Sequence, residues 1–304
     1  MRFIYSLQRT RVTGLAIALL FASVITGSSA NAVGAESITL SPTTQRYSFD
    51  AGDVITDEII IVNDGDTAYD VLIYAEPYGI NDTTDDPTYA GTTNANADLY
   101  EWVQIPKTRW HIEAGKTVNI PYVIRSSATA APGGHYGVIF AEIQPEDGDT
   151  GVSVARKKRV GTVVYAKVAG NIIESGSVTS MTLDNYQTQA PLVASADVKN
   201  AGNVDFLAKV TMTIRDVFGN VKHKGVIERN VLPGITLTMD AAWDKPTWIG
   251  LYKVQVSSEV LDKTESKDAY VLLAPVWFIF TVVAIALAGV VYALRRPRKS
   301  STRR

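Results

Sequence analysis

Three short landmarks occur twice along this chain, in the same order. The turn Asn63-Asp64-Gly65-Asp66, which follows an alternating run and precedes "YDVLIYA", is matched by Asn200-Ala201-Gly202-Asn203 before "FLAKVTMTI". "EAGKTVNIPYVI" from Glu113 is matched by "LPGITLTMDAAW" from Leu232, and "GHYGVIF" from Gly134 by "GLYKVQV" from Gly250. A pattern repeated in order marks a duplicated unit, so two copies of one domain are expected.

The runs between these landmarks have a period of two. Ile235, Leu237, Met239 and Ala241 alternate with Thr236, Thr238 and Asp240, and Val210, Met212 and Ile214 alternate with Thr211 and Thr213. That is the signature of a half-buried strand, and no helical period appears before the C-terminal apolar run. The predicted fold class is all-β: two sandwich domains in tandem, over residues 33–170 and 171–265, plus one C-terminal transmembrane helix.

Both ends of the chain read as membrane signals. Arg2, Arg9 and Arg11 flank "VTGLAIALLFASVI", which ends in Ala30-Asn31-Ala32, the layout of a secretory signal peptide over residues 1–32. Val271 to Leu294 contains no charged residue and is long enough to cross a ~30 Å hydrocarbon core. The tail that follows (295–304) carries Arg295, Arg296, Arg298, Lys299, Arg303 and Arg304, so the positive-inside rule places it in the cytoplasm and the bulk of the chain outside. Residues 266–270 are expected to form a short stalk. Trp277 and Tyr292 would then sit near the outer and inner headgroups. The expected location is a cell membrane, crossed once.

Between these ends the chain carries 31 acidic against 20 basic residues, a net charge of −11 that the whole-chain value of −2 conceals. Such a surface makes nucleic acid an unsuitable partner. There is no cysteine, which excludes disulfides and thiolate chemistry and, in an exported chain, points to a bacterial surface.

The run "APGGHYGVIF" from Ala131 invites an active-site reading. It lacks the G-x-x-x-x-G-K-[ST] spacing of a phosphate loop, and a strand rather than a helix follows. In the second copy Leu251 stands where the first has His135. Glycine and tyrosine therefore carry the motif, the glycine by permitting a turn and the tyrosine by burying its ring while its hydroxyl bonds to nearby backbone. The other histidines, His111 and His223, show no metal-binding spacing, and no G-x-S-x-G elbow is present. The acidic groups Asp64, Asp66 and Asp70, then Asp82, Asp85 and Asp86, then Glu146, Asp147 and Asp149 follow no EF-hand spacing and read as solvated turns. No catalytic residue, metal or cofactor is assigned.

The two copies differ in length. Asn63 to Gly115 is about 18 residues longer than Asn200 to Gly234, and the extra material fits best at Gly79 to Tyr100, "GINDTTDDPTYAGTTNANADLY". Since the second copy builds the same landmarks without it, the fold is expected not to need it, and a loop this long is more often functional than idle. Tyr89, Tyr100 and Trp102 are the candidate ligand-contacting residues, because aromatic rings among Asn and Asp suit a sugar- or protein-binding edge. For Trp102 and for Trp110 a place in the core is the preferred alternative.

The segments "ITLSPTTQRYSFDAGDVITDEIIIVNDGDTAYDV", "WHIEAGKTVNIPYVIRSSATAAPGGHYGVIFAEI" and "RVGTVVYAKVAG", followed by a second β domain, a membrane helix and a basic tail, resemble the WxL-interacting protein family of bacterial surfaces. The resemblance implies two immunoglobulin-like domains, the first associated with peptidoglycan binding and the second with partner or host contacts, and no enzymatic activity. The expected function is therefore a membrane-anchored adhesion or binding protein that attaches to cell-wall polymer or to another surface protein. The alternative is a chaperone-like module for exported surface subunits, since strand-rich domains can donate an edge to another chain.

Overall fold

The computed structural model describes residues 37–144, 158–246 and 249–295. The expected signal peptide, the cluster Glu146, Asp147 and Asp149, and the tail beyond Arg295 lie outside the described residues.

The first sandwich contains β1 (Ile38–Ser41), β2 (Thr44–Phe49), β3 (Val54–Asn63), β4 (Tyr69–Pro77), β5 (Gly79–Ile80) and β6 (Pro87–Thr88). It continues with β7 (Val103–Gln104), β8 (Arg109–Ile112), β9 (Thr117–Arg125), β10 (Gly133–Ile143) and β11 (Arg159–Val168). The second contains β12 (Gly176–Thr182), β13 (Tyr186–Gln187), β14 (Leu192–Asn200) and β15 (Phe206–Arg215). It ends with β16 (Val221–Val231), β17 (Thr236–Trp243), β18 (Gly250–Val260) and β19 (Lys263–Leu273), after which comes helix α1 (Val276–Arg295).

Both units have the same immunoglobulin-like topology. The first packs a β1-β3-β9-β7 sheet on a β2-β11-β10-β4-β8 sheet; the second packs β12-β14-β17 on β13-β19-β18-β15-β16. In each, the chain crosses from one sheet to the other near its start, and the strand after the crossing runs parallel to the last one, β2 to β11 and β13 to β19. The apolar positions of the alternating runs all point inward: Val210, Met212, Ile214, Leu237, Met239 and Ala241 are buried.

The first two landmarks are structural twins. Asn63 and Asn200 are fully buried at strand ends. The Nδ2 of Asn63 donates to the carbonyls of Thr67 (2.8 Å) and Ile112 (3.1 Å), while its Oδ1 accepts from Gly65 N. Asn200 Nδ2 donates to Val204 and Val231 (2.8 Å each), and its Oδ1 accepts from Gly202 N. Gly115 and Gly234, in the second landmark, both take the left-handed conformation their turns require, with φ of 67° and 79°.

The third landmark matches in letters but not in facing. Tyr252 points into the core of its own sandwich with Val254 and Val256. On β10 it is Ile139, Ala141 and Ile143 that join the first core, whereas Tyr136, Val138 and Phe140 face outward toward the second sandwich. A one-residue shift along a strand exchanges its faces, and sequence comparison does not register it. What the two tyrosines share is local: each ring lies back over the glycine two residues before it, so that a Cβ at Gly134 or Gly250 would meet the phenol at 2.0 or 2.6 Å. These glycines supply room for the ring, not turn geometry.

The end of the second sandwich also departs from expectation. Residues 266–273 are strand, not stalk and membrane helix: β19 runs to Leu273, and Val271 and Leu273 are fully buried. Hydropathy merges this buried strand end with the helix because both are apolar; Pro275, which lacks an N–H to continue the ladder, marks the boundary. The remaining 20 residues of α1 are none of them buried and are long and apolar enough to cross a membrane.

Candidate functional site at the seam between the sandwiches

All of β10 is buried, on both faces. This explains why "GGHYGVIF" does not alternate: one face fills the first core, and the other is covered by the long insertion and the second sandwich.

Tyr136 is the centre of the seam. Its hydroxyl accepts from Asp205 N (2.9 Å) and donates to Asp205 Oδ1 (3.3 Å), so the backbone it bonds belongs to the other sandwich. The second carboxylate oxygen of Asp205 accepts from Arg46 Nη1 at 2.8 Å, and the Arg46 guanidinium lies 4.1 Å from the Tyr165 ring centre. Burial raises the hydroxyl pKa of Tyr136 and of Tyr78, so both phenols stay protonated. Alongside, Gly134 N donates to Asn203 O (2.7 Å) and Asn203 Nδ2 to Pro132 O (3.0 Å). At Gly133 (φ 135°) the backbones approach so closely that a Cβ would sit 2.5 Å from Asn203 O.

The insertion is a strap across this seam. Asp82 O accepts from Thr238 N at 3.2 Å, and Asp85 pairs with Arg229, both partners lying in the second sandwich. Within the strap Asn94 Oδ1 accepts from Ile80 N; its return leg is tied to the first sandwich, where Asn96 O accepts from Tyr136 N and Leu99 is fully buried in the first core. The expectation that the fold does not need this segment is therefore corrected. Among the described residues no third sandwich follows the second copy for such a strap to hold. Between the strap and the start of β17 lies an open polar groove of about 640 Å³, lined by Asp82, Thr88, Thr92 and Asn94 on one side and Gly234 and Thr236 on the other.

The three candidate contact residues are not gathered on one surface. Tyr89 is half-buried beside the groove, edge-on to Phe140 at 4.9 Å with the Arg159 guanidinium 5.2 Å from its ring. Tyr100 is half-buried in a 3-10 turn (Leu99–Trp102), with its hydroxyl on Glu101. Trp102 is buried in the first core, on the opposite face of the sheet from Tyr89 and 4.5 Å from the His135 ring. It supports the strap from beneath and offers no contact surface; the core alternative applies. Trp110 is half-buried against the same core.

His135 is a tie for the strap. Its Nδ1 lies 2.7 Å from Asp98 Oδ1 and its Nε2 2.9 Å from Ala131 O. A carboxylate and a carbonyl only accept, so both ring nitrogens must donate and the ring is an imidazolium here. Burial opposes that charge, but the bonds to Asp98 and to the Ala131 carbonyl outweigh it and raise the pKa above its usual value. Leu251, the matching residue, has no strap above it and is half exposed. A histidine with a raised folded pKa stabilises fully below its unfolded value of about 6.5, and this stabilisation is lost as pH climbs through the folded value. The melting-temperature difference between the native chain and His135→Leu is thus expected to be largest near pH 5.5 and to shrink toward pH 8.5. A pH-independent difference would show the ring to be neutral.

Chemically, the seam is a set of satisfied hydrogen bonds with no nucleophile held beside a base. Among the described residues no three His, Asp or Glu side chains converge as metal ligands would. Sequence reasoning missed Arg46 and Asp205, because a pair 159 residues apart leaves no local pattern.

No family model matches the chain, and no curated protein matches it in sequence. Solved structures resemble it distantly. The class 5 fimbriae chaperone CfaA shares 13% identity over 77% of this chain and 99% of its own, with a TM-score of 0.39. A chaperone–tip adhesion subunit complex, CsuC–CsuE, from the archaic chaperone-usher Csu pili of Acinetobacter baumannii shares 14% over 77% and 98%, with a TM-score of 0.38. The Salmonella enterica SafA pilin in complex with the SafB chaperone gives 13% over 79% and 97%, with a TM-score of 0.36.

Proposed function

We propose that this chain is a non-enzymatic module, tethered to a membrane by α1, that grips an extended segment of another exported protein. The observation that carries this reading is a strand edge left open by the crossing from β1 to β2. β2 covers only the last six residues of β11, Val163 to Val168. Among the described residues no strand pairs with the outer side of Arg159 to Thr162, although the crossing chain touches this end through Thr162 Oγ1, which donates to Pro42 O at 2.7 Å. Lys158 O faces β10, where it accepts from Ile143 N, and Val163 N faces outward to Thr43 O. Alternate residues of a strand face alternate sides, so the N–H groups of Arg159 and Gly161 point outward with no partner strand. An incoming strand would meet β2 end to end and extend the sheet, which is how an exposed edge captures a peptide. The seam ties the second sandwich to the same sheet through Tyr136 and Arg46.

Two of the structures above are described as chaperones in complex with a tip adhesion subunit or a pilin; for this chain the reading rests on the open edge. A second reading, attachment to cell-wall polymer in the manner the WxL-interacting resemblance implies, is favoured by the groove, whose Thr, Asn and Asp side chains suit hydroxyl-rich ligands. Full-length chain in detergent, incubated separately with membrane-stripped surface proteins and with isolated cell wall, separates the two. Retention of an exported protein is expected. Retention by wall alone transfers the function to the groove, and retention by neither overturns both.

A further inference from the structure

We propose that the tip of the β15–β16 hairpin is a second membrane contact, an apolar wedge that seats the second sandwich on the outer lipid surface beside α1. This rests on the reading of α1 as membrane-spanning.

Strand register places the tip. Arg215 pairs with Lys253 and Lys253 with Tyr270, so β15 ends level with the last residues of β19, from which the chain passes through Ala274 and Pro275 into α1. Only β18 separates β15 from β19, a lateral distance of about 10 Å at ordinary strand spacing. The hairpin tip therefore projects from the same end of the sandwich as the helix, and a bilayer that receives Val276 lies within reach of Phe218.

The tip is built for an apolar medium. Phe218 is 86% exposed, more than any other large hydrophobic residue described, with Val217 at 61% and Val221 at 52% beside it. A soluble turn has no reason to present such a cluster, and turns of this size usually carry polar residues. The exposure is held in place. Asp216 accepts from Phe218 N and Asn220 N at 2.9 Å each and pairs with Lys222 at 3.0 Å, while Gly219 takes the left-handed φ of 86° that closes the turn. Lys222 and Lys253 are matched by Asp216 and Asp268, which leaves Arg215 and Lys224 as an excess of base in an otherwise strongly acidic ectodomain. An apolar tip ringed by bases suits an anionic headgroup layer.

The cysteine-free chain allows a clean test. Full-length Val217→Cys, carrying a nitroxide and reconstituted in phosphatidylglycerol-containing vesicles, is compared with Glu265→Cys at the far end of the β18–β19 hairpin and Val290→Cys within α1. The expected oxygen-to-chelate accessibility ratio at 217 is several-fold above that at 265, and adding Phe218→Ser returns it to the value at 265. A label at 217 that reads as water while 290 reads as lipid overturns the proposal and leaves the anchor intact. A label at 290 that reads as water overturns the anchor reading, and the wedge with it. A label at 217 that neither reagent reaches places a protein over the tip and also overturns the lipid contact.

Discussion

Tyr136→Ala is expected to lower the melting temperature of the full chain and to free the two sandwiches from one another. The ring is fully buried, and truncating a buried aromatic to alanine costs about 3 to 5 kcal/mol. The loss falls on the seam and not on the first core, because the ring faces Asp205 and Tyr165 while Ile139 and Ala141 on the other face of β10 are untouched. Strand content should therefore survive by circular dichroism while small-angle scattering reports a broader range of overall dimensions. A variant that loses its strand signal outright would place Tyr136 in the folding core instead. Tyr136→Phe separates ring from hydroxyl: it keeps the packing and leaves Asp205 N without its acceptor, so a smaller loss is expected, about 1 to 3 kcal/mol for one unsatisfied buried group.

The second large effect is expected at Asn200. Replacement by alanine takes the Asn200 bond from the buried carbonyls of Val204 and Val231 and from the partly buried N–H of Gly202. At about 1 to 3 kcal/mol for each orphaned group the loss is roughly 3 kcal/mol or more. Asn200→Asp should be worse still, although it is closer in shape, because a carboxylate has no donor for the two carbonyls and would be a buried charge facing them. Chemical denaturation of the two variants gives the order directly. If the aspartate variant is the more stable, the side-chain amide is not the donor the geometry makes it.

The parts of the fold legible in sequence are those set by local pattern. Alternation located the strands, Asn63 with Asn200 and Gly115 with Gly234 located the turns, and the uncharged run located a membrane-length helix. Three features escaped. The facing of Tyr136 depends on strand phase relative to two cores, which letters do not encode. The start of the helix was obscured because Val271 and Leu273, buried in a sheet, look the same to hydropathy as residues facing lipid. The insertion read as dispensable because comparison with the second copy tests only what one sandwich needs alone, whereas Asp82 and Asp85 serve the contact between two. The site itself was only half visible: Tyr89 lies beside the groove, but Arg46, Asp205 and the open edge at Arg159 and Gly161 are products of tertiary pairing.

Capture of the exported partner by Arg159→Pro, set against Arg159→Ala, tests the central claim most directly. The proline removes one outward N–H and keeps the bonds that β11 makes to β10 through its alternate residues, while the alanine removes the side chain and keeps the N–H. The expected result is that the alanine variant still retains the partner and the proline variant does not, with both melting alike. Equal retention by the two, or loss in both, would contradict strand addition at this edge and move the contact to the groove or to the Arg159 side chain.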